Sequence, residues 1–327
     1  MLVASTPEDC ARAAGRQARP FVVTIGNFDG MHLGHQTLIR HTVRRARAQG
    51  LKALAITFDP HPLAVLTDSA PPALGSTRQR LDMLASLGVD VTLLLPFTRD
   101  LASVAAGDFC RSILSEALSA EALCIGHDFR LGRDQAGPEA LSAIGRRLGF
   151  EVMTMQAVLH EGSAVSSTRI RRALSSGRLD LANAMLGRPH AVRGLVVRGA
   201  GRGGPLLGVP TANLEPAGVM MPRPAVYAST ARLAGGGKAL PAVTCFSRNP
   251  TFQTGGPGED ALILETHILD FSGDLYGSEL EVAFVKRLRE ARKFQGPAEL
   301  VAQLHADIAA RRALREPVLS VADAGGR

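Results

Sequence analysis

At 327 residues and 46% hydrophobic, the chain can fill two cores of ordinary size, and its cysteines at 10, 110, 124 and 245, far apart and without a CxxC pair, suggest neither a disulfide framework nor a zinc site and fit a reducing cytoplasm. A formal charge of +7 suits a phosphorylated small-molecule partner; the basic residues are scattered and aromatics make up only 4%, so no nucleic-acid partner is expected. No run approaches 18 apolar residues, and residues 1–19 mix charges with alanines, so no membrane partner and no secretory leader are expected.

In chain order, an apolar strand is predicted at Phe21–Ile25, a glycine-rich turn from Gly26 to Gly34, and a basic amphipathic helix from His35 to Gln49. Strands follow at Leu51–Thr57, Val89–Leu95, Leu123–Ile125 and Glu151–Met155, alternating with helical patterns at Ser76–Leu87, Gly107–Leu118 and Pro138–Leu148. That alternation predicts βαβ units, hence an α/β domain with a doubly wound parallel sheet over residues 1–185. Ligands of such sheets bind beyond the carboxyl ends of the strands, where Gly26–His35 and Phe58–Pro62 emerge. From Val192 the pattern changes to short β-prone runs at Gly194–Val197, Val226–Leu233, Ala242–Thr244, Ala261–Leu269 and Glu281–Val285, with Gly235–Gly237 as a hairpin turn and one helix from Pro297 to Ala313. Residues 186–315 are therefore expected to form an antiparallel β-barrel with a C-terminal helix, and residues 316–327 a loosely ordered tail.

The most specific segment is Gly26-Asn27-Phe28-Asp29-Gly30-Met31-His32-Leu33-Gly34-His35, set directly between strand and helix. Glycines at 26, 30 and 34 let backbone amides approach phosphates, and the helix start favours negative charge. His32 and His35, three apart at that start, can donate to one phosphate cluster and stabilise charge on a leaving pyrophosphate. Downstream, Val165-Ser166-Ser167-Thr168-Arg169-Ile170-Arg171 puts hydroxyls at a helix N-terminus and arginines in its first turn, which suits ATP phosphates; ordinary capping of a basic helix is the plain alternative.

The HxGH arrangement resembles the nucleotidyltransferase superfamily. Thr57-Phe58-Asp59-Pro60-His61-Pro62 and Gly126-His127-Asp128-Phe129-Arg130-Leu131-Gly132-Arg133 narrow the likeness to the bacterial bifunctional riboflavin kinase/FMN adenylyltransferases, the FAD synthetases. The resemblance implies that His32, His35, Ser167, Thr168 and Arg171 form an ATP phosphate site. It implies further that Gly26, Phe28, Asp29 and Gly34 shape that site, that Asp128 lines the nucleotide pocket, and that Phe58 to His61 lie on the flavin side. Read alone, His61 before Pro62 is a turn residue and Asp59 a turn cap.

In the second half, Gly208-Val209-Pro210-Thr211-Ala212-Asn213-Leu214 resembles the PTAN motif of flavokinases. Thr211 and Asn213, two apart on an extended strand, face one side and can help hold a hard cation bound to ATP phosphates. The resemblance makes Glu265, in Leu264-Glu265-Thr266-His267, the general base for the ribityl 5′-hydroxyl. No GxxxxGK[ST] loop exists in the chain, so a kinase here uses another phosphate cradle. Three stretches depart from the family: Arg202–Gly208 carries an extra residue and lacks an arginine, Cys245-Phe246-Ser247 replaces Asn-Ile-Gly, and Ala225-Val226-Tyr227 replaces Gly-Val-Tyr. The expected activity is riboflavin plus ATP to FMN, then FMN plus ATP to FAD and pyrophosphate, with Mg2+ accompanying ATP. The departures leave open an FAD synthetase alone, its barrel a flavin-holding or assembly module; a flavin- or nucleotide-binding regulator is the reading without catalysis.

Overall fold

The computed structural model describes residues 1–14, 20–198, 209–216, 218–233, 236–248 and 262–314. The readings on Arg202–Gly208, Gly235, Ala261 and residues 316–327 lie outside the described residues. The chain divides into two compact units, one of Met1–Pro72 with Thr77–Ser166, the other of Ala73–Ser76 with the chain from Ser167 on.

In the first unit, β1 (Leu2–Ala4), β2 (Phe21–Ile25), β3 (Lys52–Asp59), β4 (Val91–Pro96), β5 (Ala120–Gly126) and β6 (Glu151–Met155) form one sheet in the order β1-β4-β3-β2-β5-β6. Every pairing in it is parallel. The helices are α1 (Pro7–Ala14), α2 (Leu33–Ala48), α3 (Pro62–Leu66), α4 (Thr77–Ser86), α5 (Arg99–Ser103), α6 (Ala106–Phe109, continuing as π-helical turns over Cys110–Ala117) and α7 (Pro138–Leu148). A small hairpin of β7 (Leu159–His160) and β8 (Ser163–Ala164) follows. Because side chains alternate along a strand, β2 feeds two cores. Phe21, Val23 and Ile25 join Leu54, Ile56, Phe109 and Leu123 on one face, while Val22 joins Leu38, Ile39, Ala53, Leu84 and Ala122 on the other. Helices covering both faces explain why the strand is buried throughout and reads as a continuous apolar run. The chain leaves β2 for β3 and β4 on one side and returns to β5 on the other, so the order reverses at β2/β5, where α/β sheets open a crevice for ligands.

In the second unit, α8 (Ser167–Ser175) and α9 (Leu179–Leu186) precede a closed antiparallel barrel of β9 (His190–Val197), β10 (Ala212–Pro216), β11 (Ala225–Leu233), β12 (Leu240–Arg248), β13 (Leu262–Ile268) and β14 (Glu279–Arg289), in the order β10-β13-β12-β11-β14-β9. Closure leaves no free sheet edge. Asn183 on α9 clamps the barrel, its amide donating to the Phe284 carbonyl at 2.9 Å and its oxygen accepting from the His190 backbone N–H at 2.8 Å. Inside, the hydroxyls of Ser229, Thr244 and Thr266 form a chain at 2.7 and 3.0 Å, satisfying three buried polar groups without water. The last helix, α10 (Pro297–Ala313), packs on β11 and β12. Its buried Asp307 takes the Arg289 guanidinium at 3.0 and 2.7 Å, and buried Arg311 donates to the Ser229 carbonyl at 2.8 Å. Removing one partner of such a buried pair costs about 3–5 kcal/mol, which fastens the helix to the barrel.

Candidate active sites

The loop after β2 is the better defined of two sites. Phe28 (φ 49°) and Met31 (φ 44°) are left-handed residues that are not glycine, each costing about 1–3 kcal/mol that the surroundings must offset. Three anchors offset it. Phe28 is buried over Gly26, where a Cβ would stand 2.8 Å from the ring, and Gln36 donates its side-chain N–H to the Met31 carbonyl at 2.8 Å. The third is Arg80 on α4, which donates to the Asn27 carbonyl at 2.8 Å.

This loop delivers the two histidines stacked, ring centroids 3.7 Å apart and 17° from parallel. His32 caps α2: its Nδ1 accepts from the His35 backbone N–H at 3.3 Å. With Nδ1 accepting, a neutral ring carries its proton on Nε2. Edge-on contact with Phe28 at 5.5 Å fixes the His35 ring, whose Nδ1 is buried without a partner among the described residues. Burial first, then neighbouring His32, pushes the His35 imidazole well below its ordinary pKa, so it is neutral at physiological pH. A Cβ at Gly34 would stand 3.1 Å from the His32 ring, so glycine there admits the cap. Asp29 is buried in the same turn.

Phe58 ends inside the main core, 5.5 Å from Phe97, so its ring serves packing and its carbonyl faces Arg80 at 2.8 Å. His61 caps the short α3, its Nδ1 accepting from the Leu63 N–H at 3.1 Å. After β5, Asp128 is exposed, its Oδ1 3.3 Å from where a Cβ on Gly126 would be. An open cavity of about 600 Å³ adjoins this loop, lined by His127, Arg130, Pro138 and Thr154 among others. Ser167, Thr168 and Arg171 open α8 and share one helix face by their spacing. They belong to the second unit and are not brought together with the histidine loop inside one unit.

On the barrel, register sets a row across five strands: Asn213 lies opposite Glu265, Glu265 opposite Cys245, Cys245 opposite Val226, and Val226 opposite Arg289. Directly opposed residues share a face, and Arg289 and Val226 turn to α10, so this is the outer face. Thr211, two before Asn213, joins it by alternation, and the His267 ring holds the adjacent Pro210 carbonyl at 2.8 Å. Glu265 keeps solvent access, yet packing around its carboxyl raises its pKa above the ordinary value. Ala225 is fully buried in β11 and Ser247 extends β12, so both substituted positions sit in regular strand.

Two family models match the chain, FAD synthetase over residues 15–169 and riboflavin kinase over residues 186–315. The bifunctional riboflavin kinase/FMN adenylyltransferase of Pseudomonas fluorescens is 36% identical over 300 residues, which span 91% of this chain and 94% of that protein. The chain belongs to the bifunctional riboflavin kinase/FMN adenylyltransferase family. The family's Escherichia coli (strain K12) member is 36% identical over 88% of this chain and 90% of its own length. A crystal structure described as a macrolide-efflux protein from Streptococcus pneumoniae superposes with TM-score 0.83 at 30% identity, covering 96% of this chain and 99% of that one. Among the described residues here no helix is long and apolar enough to cross a membrane. The flavokinase match covers the barrel and α10 together, so the departures at Ala225 and Cys245–Ser247 lie within a domain of that family. Arg80 and Gln36, which hold the histidine loop, carry no local signature in the sequence.

Proposed function

We propose that the chain forms FMN from riboflavin and ATP on its barrel and FAD from FMN and ATP at the histidine loop, with adenylyl transfer assigned to residues 1–185 and phosphorylation to residues 186–315. In the second reaction a phosphate oxygen of FMN bonds to the α-phosphorus of ATP as the bond from that phosphorus to pyrophosphate breaks. The stacked His32–His35 pair at a helix N-terminus carries this reading: the His32 Nε2–H and the backbone amides of α2 meet charge on the departing pyrophosphate. Neutral His35 adds polarity without a competing charge, and Gly26, Phe28, Asp29 and Gly34 keep the loop in shape. Ser167, Thr168 and Arg171 offer hydroxyl and guanidinium donors of the kind ATP phosphates take. Asp128 is assigned to the nucleotide and the Phe58–His61 loop to the flavin.

On the barrel, Glu265 removes the proton from the riboflavin 5′-hydroxyl, whose oxygen then bonds to the γ-phosphorus as ADP leaves. Its raised pKa brings it nearer the hydroxyl it serves. Among the described residues no three His, Cys, Asp or Glu side chains stand together as a cage. The Thr211 hydroxyl and Asn213 amide oxygen fit Mg2+, a hard cation that takes its remaining ligands from phosphate and water. Bound there, the ion neutralises phosphate charge. Four free thiols accord with work in the cytoplasm.

Chromatography of products tests the reading. With magnesium and ATP, riboflavin should yield FMN and then FAD, and FMN should yield FAD. His32→Ala with His35→Ala should abolish FAD while FMN still forms, and Glu265→Gln should abolish FMN formation from riboflavin while added FMN is still converted. Undiminished FAD from the double histidine variant would sink the first assignment.

A further inference from the structure

Between β3 and β4, one side chain joins the two loops that the adenylyl-transfer reading separates into an ATP side and a flavin side. Arg80 Nη1 donates to the Asn27 carbonyl at 2.8 Å, one residue before the left-handed Phe28. Its Nη2 donates to the Phe58 carbonyl at 2.8 Å and to Thr77 Oγ1 at 3.3 Å, and the Thr77 hydroxyl donates in turn to Asp59 Oδ1 at 3.2 Å. The Nε atom is sealed from solvent with no partner among the described residues, so the guanidinium works through its two terminal nitrogens, on two backbone carbonyls and the Thr77 hydroxyl. The Asn27 carbonyl also accepts from Thr57 Oγ1 at 3.4 Å, which draws the ends of β2 and β3 to the same point.

We infer that Arg80 is a positioning residue for adenylyl transfer, a guanidinium that sets the histidine loop after β2 and the end of β3 at Phe58–Asp59, from which the His61 loop leaves, at one fixed separation. The inference rests on the proposed adenylyltransferase reading. A planar fork with two donors aimed at carbonyls of two separate segments, the loop after β2 and the end of β3, does what a single ammonium cannot, since Lys offers a compact point charge on a flexible stem. Burial lowers the pKa of this guanidinium and the carboxylates of Asp59 and Asp29 oppose that shift, so it stays charged and its hydrogen bonds stay charge-assisted. With the clamp removed, the histidines and the flavin loop drift independently, and a misplacement near 1 Å costs about 100-fold in rate.

Arg80→Met and Arg80→Lys, made in the full chain, test this by steady-state kinetics of FAD formation from FMN and ATP, with the folded fraction fixed by urea titration. In Arg80→Met, kcat/KM is expected to fall about 100-fold with KM raised for both ATP and FMN; Arg80→Lys is expected to recover about tenfold of that. Both KM values unchanged in Arg80→Met, or activity lost only in proportion to the unfolded fraction, overturns the inference. Should Arg80→Met not fold, Arg80→Lys decides alone: raised KM for both substrates upholds the clamp, and unchanged KM for either overturns it. Absence of FAD from the unmodified chain would instead overturn the adenylyltransferase reading, so the two failures are distinguishable.

Discussion

Replacing Gly26 by alanine adds a single methyl group at a point where the structure has no room for one. Its Cβ would lie 2.8 Å from Phe28 Cε1 and 3.0 Å from Cζ, against an ordinary carbon–carbon contact of about 3.5 Å or more, so the ring must retreat by about 0.7 Å. Phe28 cannot swing out cheaply, because it is 1% exposed and held in a left-handed turn. Overpacking of this kind costs about 1–3 kcal/mol of stability. The larger effect is on chemistry. His35 meets Phe28 edge-on at 5.5 Å and stacks on His32 at 3.7 Å, so a displaced Phe28 carries the imidazole pair with it. FAD formation from FMN and ATP should fall about 100-fold, while FMN formation from riboflavin, measured on the same preparation, stays within about twofold of the parent. A Gly26→Ala protein that makes FAD at the parental rate would refute the idea that the Gly26–Phe28 contact sets the histidines.

Two further outcomes concern protons. Burial holds the His190 imidazole down at about 4, against 6.5 when exposed, so the unfolded chain binds a proton that the folded barrel refuses. Stability conferred by the neutral ring is therefore complete above pH 6.5 and is lost as pH falls toward 4, about 3 kcal/mol in all; urea midpoints should track that loss, and His190→Gln, which keeps a donor for the Met220 carbonyl, should flatten it. If Glu265 is the kinase base, only its carboxylate can accept the hydroxyl proton; with its pKa raised, riboflavin phosphorylation should die on the acid side with an apparent pKa above 4.5, read from a kcat/KM–pH profile, and a limb at or below 4.5 contradicts the base assignment.

Where local pattern decides structure, the sequence was legible to the residue. Phe21–Ile25 and Glu151–Met155 are strands of those bounds, and Pro138–Leu148 and Pro297–Ala313 are helices of those bounds, each of the helices opening on proline. The misses lie where long-range packing decides. β1 is a three-residue edge strand recruited by pairing with β4 some ninety positions on, and nothing in Leu2–Ala4 announces it. β9 starts at His190 rather than Gly194, because His190 and Arg193 are polar residues turned into the protein, Arg193 being paired with Glu281 at 2.7 Å. β14 runs on to Arg289 for a related reason: its charged end is claimed by Asp307 of the last helix.

The same division runs through the sites. The histidine pair was legible because capping, close glycines and helix start are all local, so ten consecutive residues contain the pair, its cap and its glycines. Glu265 and Asn213 were legible only as isolated polar residues; barrel register puts them opposite each other, a fact held in hydrogen-bond pairing rather than in spacing. Arg80 was not legible at all. Its two long-range acceptors are main-chain carbonyls 53 and 22 positions away, and a carbonyl is the one group that every residue shares. Substitution at Asn27 or Phe58 leaves such an acceptor in place, so the clamp constrains one position of the chain and conceals the two that it holds. The residues proposed to do chemistry are marked by their side chains, whereas those that set the distance between loops are found only by asking where each buried donor ends.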